Sequence, residues 1–181
     1  MSETLQRRPP PIEARGWLEP LPAATRLSFR GGAEAIAALS PAYGVSLPTA
    51  ACRAASEGPR AVLRLGPDEY LLIAPAGEGD SLAATLAAAL GPLPHSLVDV
   101  SHRQVAFAVQ GAYAEWLLQS GCPLDLDLGQ FPIGMCTRTV FHKAEITLWR
   151  TGPTTFRVEA WRSFASYVVE LLAGAALELP A

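Results

Sequence analysis

The chain has 181 residues, enough for one compact domain that hides roughly 70% of its unfolded surface, or for two small ones sharing a core. Hydrophobic residues make up 50% and charged residues 17%, a balance that favours a subunit held by a partner over a free monomer. The formal net charge of -3 excludes the basic footprint on which binding to nucleic acid or to an anionic membrane depends, so neither is expected as a partner.

Residues 1–22 carry Arg7, Arg8, Pro9, Pro10, Pro11, Pro20 and Pro22, a composition that favours extended polyproline-like backbone with no core of its own. Such an arm is either a disordered tail or a strap that orders on a partner, since Ile12, Trp17 and Leu18 are costly to leave wet. Arg26 to Arg30 then alternates like a half-buried strand, with Leu27 and Phe29 on one face. Gly31 and Gly32 lead into a helix from Ala33 to Leu39 that is expected to end before Pro41 and Gly44. Thr49 to Ala55 is a weak strand, and Arg60 to Leu65 and Glu69 to Ala74 are stronger ones. Gly66-Pro67-Asp68 between the latter two predicts a hairpin. Ser81 is placed to cap a helix whose Leu82, Leu86, Ala89 and Leu90 line one face up to Gly91.

A second series opens at Ser96 to Val100, where Leu97 and Asp99 point one way and Val98 and Val100 the other. The valines are expected to be buried together between the two halves. A strand at Gln104 to Gln110 is followed by a helix with Tyr113, Trp116 and Leu117 on one face and Gly121 as a left-handed stop. The loop Cys122 to Gly134 follows, and then strands at Met135 to Phe141, Ala144 to Arg150 and Thr155 to Trp161. In the last of these Phe156, Val158 and Ala160 oppose Arg157 and Glu159. Ser163 is expected to cap a final helix with Phe164, Tyr167, Val168, Leu171 and Leu172 on one stripe and Gly174 at its end.

Two windows of the sequence align across the chain. Leu27 to Leu39 resembles Ala106 to Leu118, and Leu63 to Pro75 resembles Leu148 to Trp161. Each half reads strand-strand-helix-three strands-helix, so the fold class is α+β, built from duplicated ββαβββα units with mainly antiparallel sheets. The expected organisation is an N-terminal arm over 1–22, a first repeat over 23–94 and a second over 95–181, the repeats forming one globular domain.

The chain offers little chemistry of its own. Asp99, Ser101 and His102 are close in sequence, but on a strand the histidine points away from the other two, and no G-x-S-x-G elbow exists. A structural role is the better reading: Asp99 or Ser101 accepting from backbone at the strand's end, with His102 and Arg103 tying the units together. Cys52, Cys122 and Cys136 lack C-x-x-C spacing and, like His95 and His142, have no metal-ligand partner, so neither a disulfide framework nor a metal site is expected. Gly31-Gly32 lacks the phosphate-binding patterns, and Asp125 and Asp127 lack the further oxygens of a calcium site. No catalytic, cofactor-binding or metal residue is therefore assigned. Cysteine usage points to a reducing cytoplasm, Met1 to Arg15 has no apolar signal region, and Leu82 to Leu90 and Leu171 to Leu179 are shorter than the ~20 residues of a spanning helix. One surface signal remains. Trp149-Arg150 and Trp161-Arg162 stand at the ends of neighbouring strands, and with Trp17 of the arm they are the candidate partner interface, because Trp and Arg dominate interface hot spots. The alternative is that the tryptophans are core and the arginines solvated.

The runs Val98-Asp-Val-Ser-His-Arg103, Val109 to Leu118 and Leu124 to Gly129 resemble the folate-binding domain of glycine-cleavage aminomethyltransferases, in which a D-V-S-H segment precedes a G-x-x-A helix. Gly121 to Leu126, Phe131 to Gly134, Arg138-Thr139, Lys143 to Ile146, Leu148 to Arg150 and Trp161 to Ala165 are similar to a narrower family, the gamma subunit of bacterial heterotetrameric sarcosine oxidase. The resemblance implies the duplicated folate-binding-domain fold with the first strands of the two units exchanged. It also implies a cytoplasmic complex that oxidatively demethylates sarcosine to glycine with oxygen and passes the one-carbon unit to tetrahydrofolate. FAD, FMN, NAD and tetrahydrofolate would lie on the other subunits. Partners would be the alpha and beta subunits and a small delta subunit, mainly alpha. Catalytic aminomethyltransferases carry Gly-Gly and paired acids in a hairpin that here reads Val140-Phe-His-Lys-Ala-Glu145, so Glu145 cannot take the folate-contacting role and the isolated chain is expected to be noncatalytic. Two alternatives stay open: a free-standing folate-binding, aminomethyltransferase-like protein, and the same module in another secondary-amine oxidase or dehydrogenase.

Overall fold

The computed structural model describes residues 15–179. The element order is β1 (Leu18–Pro20), β2 (Ala24–Gly31), α1 (Ala33–Tyr43), β3 (Ala54–Glu57), β4 (Arg60–Arg64), β5 (Glu69–Pro75) and α2 (Gly79–Leu90), then β6 (His95–Asp99), β7 (Gln104–Gln110), α3 (Ala114–Gln119), β8 (Cys136–Phe141), β9 (Ala144–Gly152), β10 (Thr155–Trp161) and α4 (Ala165–Ala176). This is the duplicated ββαβββα order. The strands form two five-stranded antiparallel sheets, β3-β4-β5-β2-β6 and β1-β7-β10-β9-β8. Each sheet takes four strands from one half and its edge strand from the other: β1 pairs with β7, and β6 with β2. The first strands are exchanged, as the family resemblance implied.

The two sheets lie face to face between two layers of helices. Leu27, Phe29, Val62, Tyr70 and Leu72 pack outward against Leu39 and Tyr43 of α1 and Leu82, Leu86 and Leu90 of α2. Phe107, Val109, Ile146, Leu148, Phe156 and Val158 pack on the other side against α3, α4 and the loop residues Leu126 and Phe131. A third cluster, Ala61, Leu63, Leu71, Ile73 and Cys136 with Trp149 and Val100, fills the space between the sheets. Both faces of each sheet are therefore covered, which is why β5 is buried along nearly its whole length instead of alternating.

Several local expectations change. The arm over residues 1–14 lies outside the described residues, but its continuation does have a core: Leu18 is fully buried, and Gln110 donates its N–H to the Trp17 carbonyl. Pro41 does not stop α1, which runs to Tyr43 and closes at Gly44 in the left-handed region (φ 81), its N–H on the Ser40 carbonyl. The extra turn is held by Tyr43, whose buried hydroxyl lies 2.6 Å from the Ile73 carbonyl oxygen and 2.8 Å from that of Ala61. Ser81 and Ser163 are not caps. Ser81 sits inside α2 and donates back to the Glu78 carbonyl, and Phe164 occupies the N-cap position of α4. Ala89 faces solvent, Phe164 is exposed, and α4 continues through Gly174. In α3 the buried face is Ala114, Leu117 and Leu118, leaving Tyr113 and Trp116 exposed. Gly121 is required by closeness and not by a left-handed turn: a Cβ there would stand 2.5 Å from the His142 ring, and its carbonyl receives the His142 N–H at 2.7 Å.

Candidate functional site

The chain crosses from one sheet to the other twice, and both corners come together. Leu21 to Ala23 carries it from β1 to β2, and Ser101 to Arg103 carries it from β6 to β7. The second corner is knotted by its own polar side chains. Ser101 Oγ accepts the Arg26 N–H at 2.9 Å, Val100 donates its N–H to the Arg26 carbonyl, and Asp99 Oδ1 accepts the Ser101 N–H at 2.7 Å. This is the strand-end role expected of Asp99 and Ser101. The Ser101 hydroxyl is the largest influence holding the Asp99 carboxyl below its ordinary value, with the Ser101 backbone N–H and the charge of His102 acting the same way. Asp99 also sits over the start of α2, so tightly that a Cβ on Gly79 would lie 2.6 Å from Oδ2, where the positive end of the helix favours an anion. His102 is exposed, and among the described residues no catalytic set is assembled around it.

The expected burial of Val98 with Val100 does not hold. Val100 joins the intersheet cluster, whereas Val98 is 51% exposed. Strand β6 is the edge of its sheet, so Val98 lies at the rim of the layer, where little among the described residues covers it.

Between the two corners opens a cleft of about 710 Å³. Its apolar wall includes Leu21, Pro22 and Val105, and its polar lining includes Arg26, Gln104, Arg162 and Asp99. Beneath it an ion trio links the sheets. Arg26 of β2, 2% exposed, places Nε 2.6 Å from Oε2 of Glu159 on β10, itself 1% exposed, while Arg157 binds the other oxygen, Oε1, at 2.6 and 2.8 Å. Arg26 and Glu159 occupy positions that alternate with apolar residues, which in the sequence look solvated. The facing sheet buries them. The signal that could have revealed them is the density of apolar residues on both faces of β5 and β9, which implies sheets covered on both sides.

The five candidate interface residues do not form one patch. Arg150 is interior: its guanidinium donates to the carbonyls of Leu126 (2.7 Å), Phe131 (2.9 Å), Gly152 (3.3 Å) and Pro153 (2.7 Å), pairs with Glu115 at 3.1 Å and stacks on Phe156. With its donors spent on the protein, it organises the loop after α3 and offers a partner nothing. Trp149 points to the opposite face of β9 and packs into the intersheet cluster. Trp17 lies half-buried against the second-half core. Trp161 remains at the surface, 39% exposed and stacked under the Arg103 guanidinium at 5.8 Å, with Phe164 exposed close by in the chain. Arg162 is half-buried, and its backbone N–H bonds the Arg103 carbonyl.

Elsewhere the chemistry is structural. The hairpin turn between β8 and β9 places His142 in the left-handed region (φ 51), and Glu145 is exposed and 3.9 Å from Arg138. Arg138 also bridges the halves to Glu69 at 2.6 Å, and this hydrogen bond is the main cause that holds the Glu69 carboxyl below its ordinary value. Burial pushes the Cys136 thiol up to about 12, so it stays protonated and is no nucleophile. Among the described residues no group of three or more His, Cys, Asp or Glu side chains could hold a metal, and no helix is long and apolar enough to cross a membrane.

Comparison with known proteins adds a family to this geometry. The family described as "Sarcosine oxidase, gamma subunit family" matches residues 30–178. The sarcosine oxidase subunit gamma of Corynebacterium sp. (strain P-1) is 37% identical over 158 residues, covering 86% of this chain and 77% of its own. That of an Arthrobacter species is 36% identical over 159 residues, with coverage of 86% and 77%. In the solved heterotetrameric sarcosine oxidase from Corynebacterium sp. U-96, a chain superposes with a TM-score of 0.83 at 35% identity, over 91% of this chain and 85% of that one. The glycine cleavage system aminomethyltransferase T from Bartonella henselae shares the fold, with a TM-score of 0.66 at 16% identity over 88% of this chain and 45% of its own.

Proposed function

The chain belongs to the sarcosine oxidase gamma subunit family, and we propose that within such an oxidase it is a noncatalytic subunit that docks on the larger chains and stabilises their flavoenzyme assembly. The observation that carries this reading is the superposition, at a TM-score of 0.83, on a chain of a heterotetrameric sarcosine oxidase. The residues support it. The sequence retains the aminomethyltransferase-like scaffold but has Val140 to Glu145 where paired acids would be needed, and Asp99 and Ser101 are engaged in closing a corner.

In this reading the complex demethylates sarcosine to glycine, using oxygen, with FAD, FMN, NAD and tetrahydrofolate on other subunits. The principal contact is with the alpha subunit, beta and a small delta subunit complete the assembly, and the whole is cytoplasmic. Trp161, with Arg103 and Phe164 beside it, is the docking surface of choice among the original candidates, since an exposed aromatic under a guanidinium gives area and polar handle together. Trp17 and Arg162 flank the exchanged strand and the cleft and are secondary candidates.

The purified chain alone is expected to show no flavin absorbance and no sarcosine turnover. Stoichiometric flavin, or turnover by the lone chain, would overturn the reading. The shared fold with aminomethyltransferase T favours one other reading, a free-standing folate-binding protein. Calorimetric titration of the isolated chain with tetrahydrofolate separates the two: no heat supports the subunit, and saturable binding supports the alternative. Assay of the assembled complex with other secondary amines tests whether sarcosine is its substrate.

A further inference from the structure

The two halves also meet where the start of β8 lies beside the residues just before β3. Cys136 donates its N–H to the Cys52 carbonyl at 3.1 Å, and Ala54 donates its own to the Gly134 carbonyl at 2.8 Å, on either side of the antiparallel bridge between Arg53 and Met135. One residue out from that bridge on each strand, Cys52 stands opposite Cys136. A directly hydrogen-bonded antiparallel pair holds its Cα atoms about 5.5 Å apart, inside the roughly 4.4–6.8 Å that a disulfide spans. Both are free thiols and neither is held firmly. Cys52 Sγ lies 3.9 Å from Thr137 Oγ1, and Cys136 Sγ lies 3.8 Å from the Arg64 carbonyl oxygen, weak contacts for sulfur. Turning Cys52 about its χ1 toward Cys136 therefore gives up little. The thiols also act on each other electrically: after burial, the charge of a Cys52 thiolate is the next cause that keeps Cys136 protonated, while Arg53 acts the opposite way. Cys52 is half-buried and holds a left-handed backbone (φ 55), which a non-glycine residue adopts at a cost and which clusters at functional sites.

We propose that Cys52 and Cys136 are oxidised by hydrogen peroxide to a reversible disulfide that staples the two halves together. Cys52 is the thiol a small oxidant can reach, and Cys136, fully buried, is the resolving one. In the first step the Cys52 sulfur attacks the peroxide. An S–O bond forms, the O–O bond breaks, and the thiol proton leaves with the second oxygen as water, so that Cys52 becomes a sulfenic acid. In the second step the Cys136 sulfur displaces that oxygen: the S–S bond forms, the S–O bond breaks, and the Cys136 proton goes out on the leaving hydroxide as water. Two thiols and one peroxide thus give one disulfide and two waters. Though no nucleophile at rest, Cys136 acts here on a sulfenic sulfur set opposite it. Reduction by a thiol restores the pair, as fits a transient disulfide in a reducing compartment. The bond closes a long loop that runs through both halves, the kind of closure that most constrains an unfolded chain. Only the cellular source of peroxide rests on the oxidase reading above, and the pair itself does not.

The full chain is treated with hydrogen peroxide, its mass is read, its remaining thiols are alkylated in denaturant, and its tryptic peptides are mapped. A mass lower by two hydrogen atoms, the loss of two thiols and a link between peptides 31–53 and 104–138 are expected, with fragmentation placing the bond at Cys136 and not at Cys122. Dithiothreitol should return all three thiols. In Cys136→Ser, Cys52 should instead stop at a sulfenic acid that dimedone traps. Three unmodified thiols after treatment, a bond to Cys122, a bond between two chains, or Cys52 driven to sulfinic acid without a link would each overturn the pair. The wild-type map decides the question even if the variant fails to fold, and its outcome does not depend on whether the chain assembles into a sarcosine-oxidising complex.

Discussion

The two crossover corners do the same topological work with different chemistry. Leu21-Pro22-Ala23 is an apolar passage held by backbone, the Leu21 N–H on the Ala106 carbonyl. Ser101-His102-Arg103 is closed by side chains, with Asp99 accepting the Ser101 N–H inside the corner and Ser101 accepting the Arg26 N–H of β2. The outer layers differ likewise. On the first sheet α1 spans 11 residues and anchors through Tyr43, while on the second α3 spans 6 and a loop held by Arg150 fills the remaining space. Identical strand order thus tolerates unequal coverings provided every buried carbonyl finds a donor. The polar groups that look functional in sequence are mostly those that make the second half's irregularities possible.

The sharpest way to break this comparison is at the buried charge shared by the halves. Glu159→Leu leaves Arg26 buried and unpaired between the sheets, and should lower unfolding free energy by about 3–5 kcal/mol in urea titrations. A loss below about 1 kcal/mol would mean that the sheets do not depend on the trio. Arg150→Met comes next, at about 2–3 kcal/mol, because it strands the carbonyls of Leu126 and Phe131. Hydrogen exchange should rise first in residues 122–134, and uniform exchange across the chain would contradict a local role for this arginine.

How much of this was legible in the sequence depends on what decides each element. Strands β7 and β10 were read with their full bounds, since each is a run of alternating or apolar residues between turn signals. Strand β1 was missed because three residues ending in Pro20 carry no periodicity, and only pairing with β7 makes them a strand. The burial of Arg26, Glu159 and Arg150 was invisible for a related reason. Local pattern assigns a face, but what covers that face is set by elements far away in the chain. Ser96 to Val100 does lie on β6 and its end, yet Val98 was misjudged, because being on an edge strand is a property of the sheet and not of the strand.

Smaller effects sharpen the contrast between surface and interior. Trp161→Ala should lower thermal stability only modestly, since Trp161 is 39% exposed and belongs to none of the three buried clusters. It should weaken assembly by about 2 kcal/mol, roughly thirtyfold in affinity. Intact assembly would move the docking surface elsewhere. Glu69→Gln tests the bond between halves at Arg138. A carboxyl whose folded value is lowered stabilises fully above its unfolded value, ordinarily 4.5, and the stabilisation disappears as pH falls through the folded value. The wild type should therefore lose more stability between about pH 5 and pH 3 than the variant, by no more than about 1 kcal/mol for so accessible a pair. Parallel acid limbs would remove Glu69 from the account.

The proposed role of this chain as a docking subunit is tested most directly by capturing it from its native cell extract and identifying by mass what comes with it. Stoichiometric recovery of larger flavin-bearing subunits with sarcosine-oxidising activity is expected. Recovery of the chain alone, from extracts in which that activity stays behind in the unbound fraction, would contradict it.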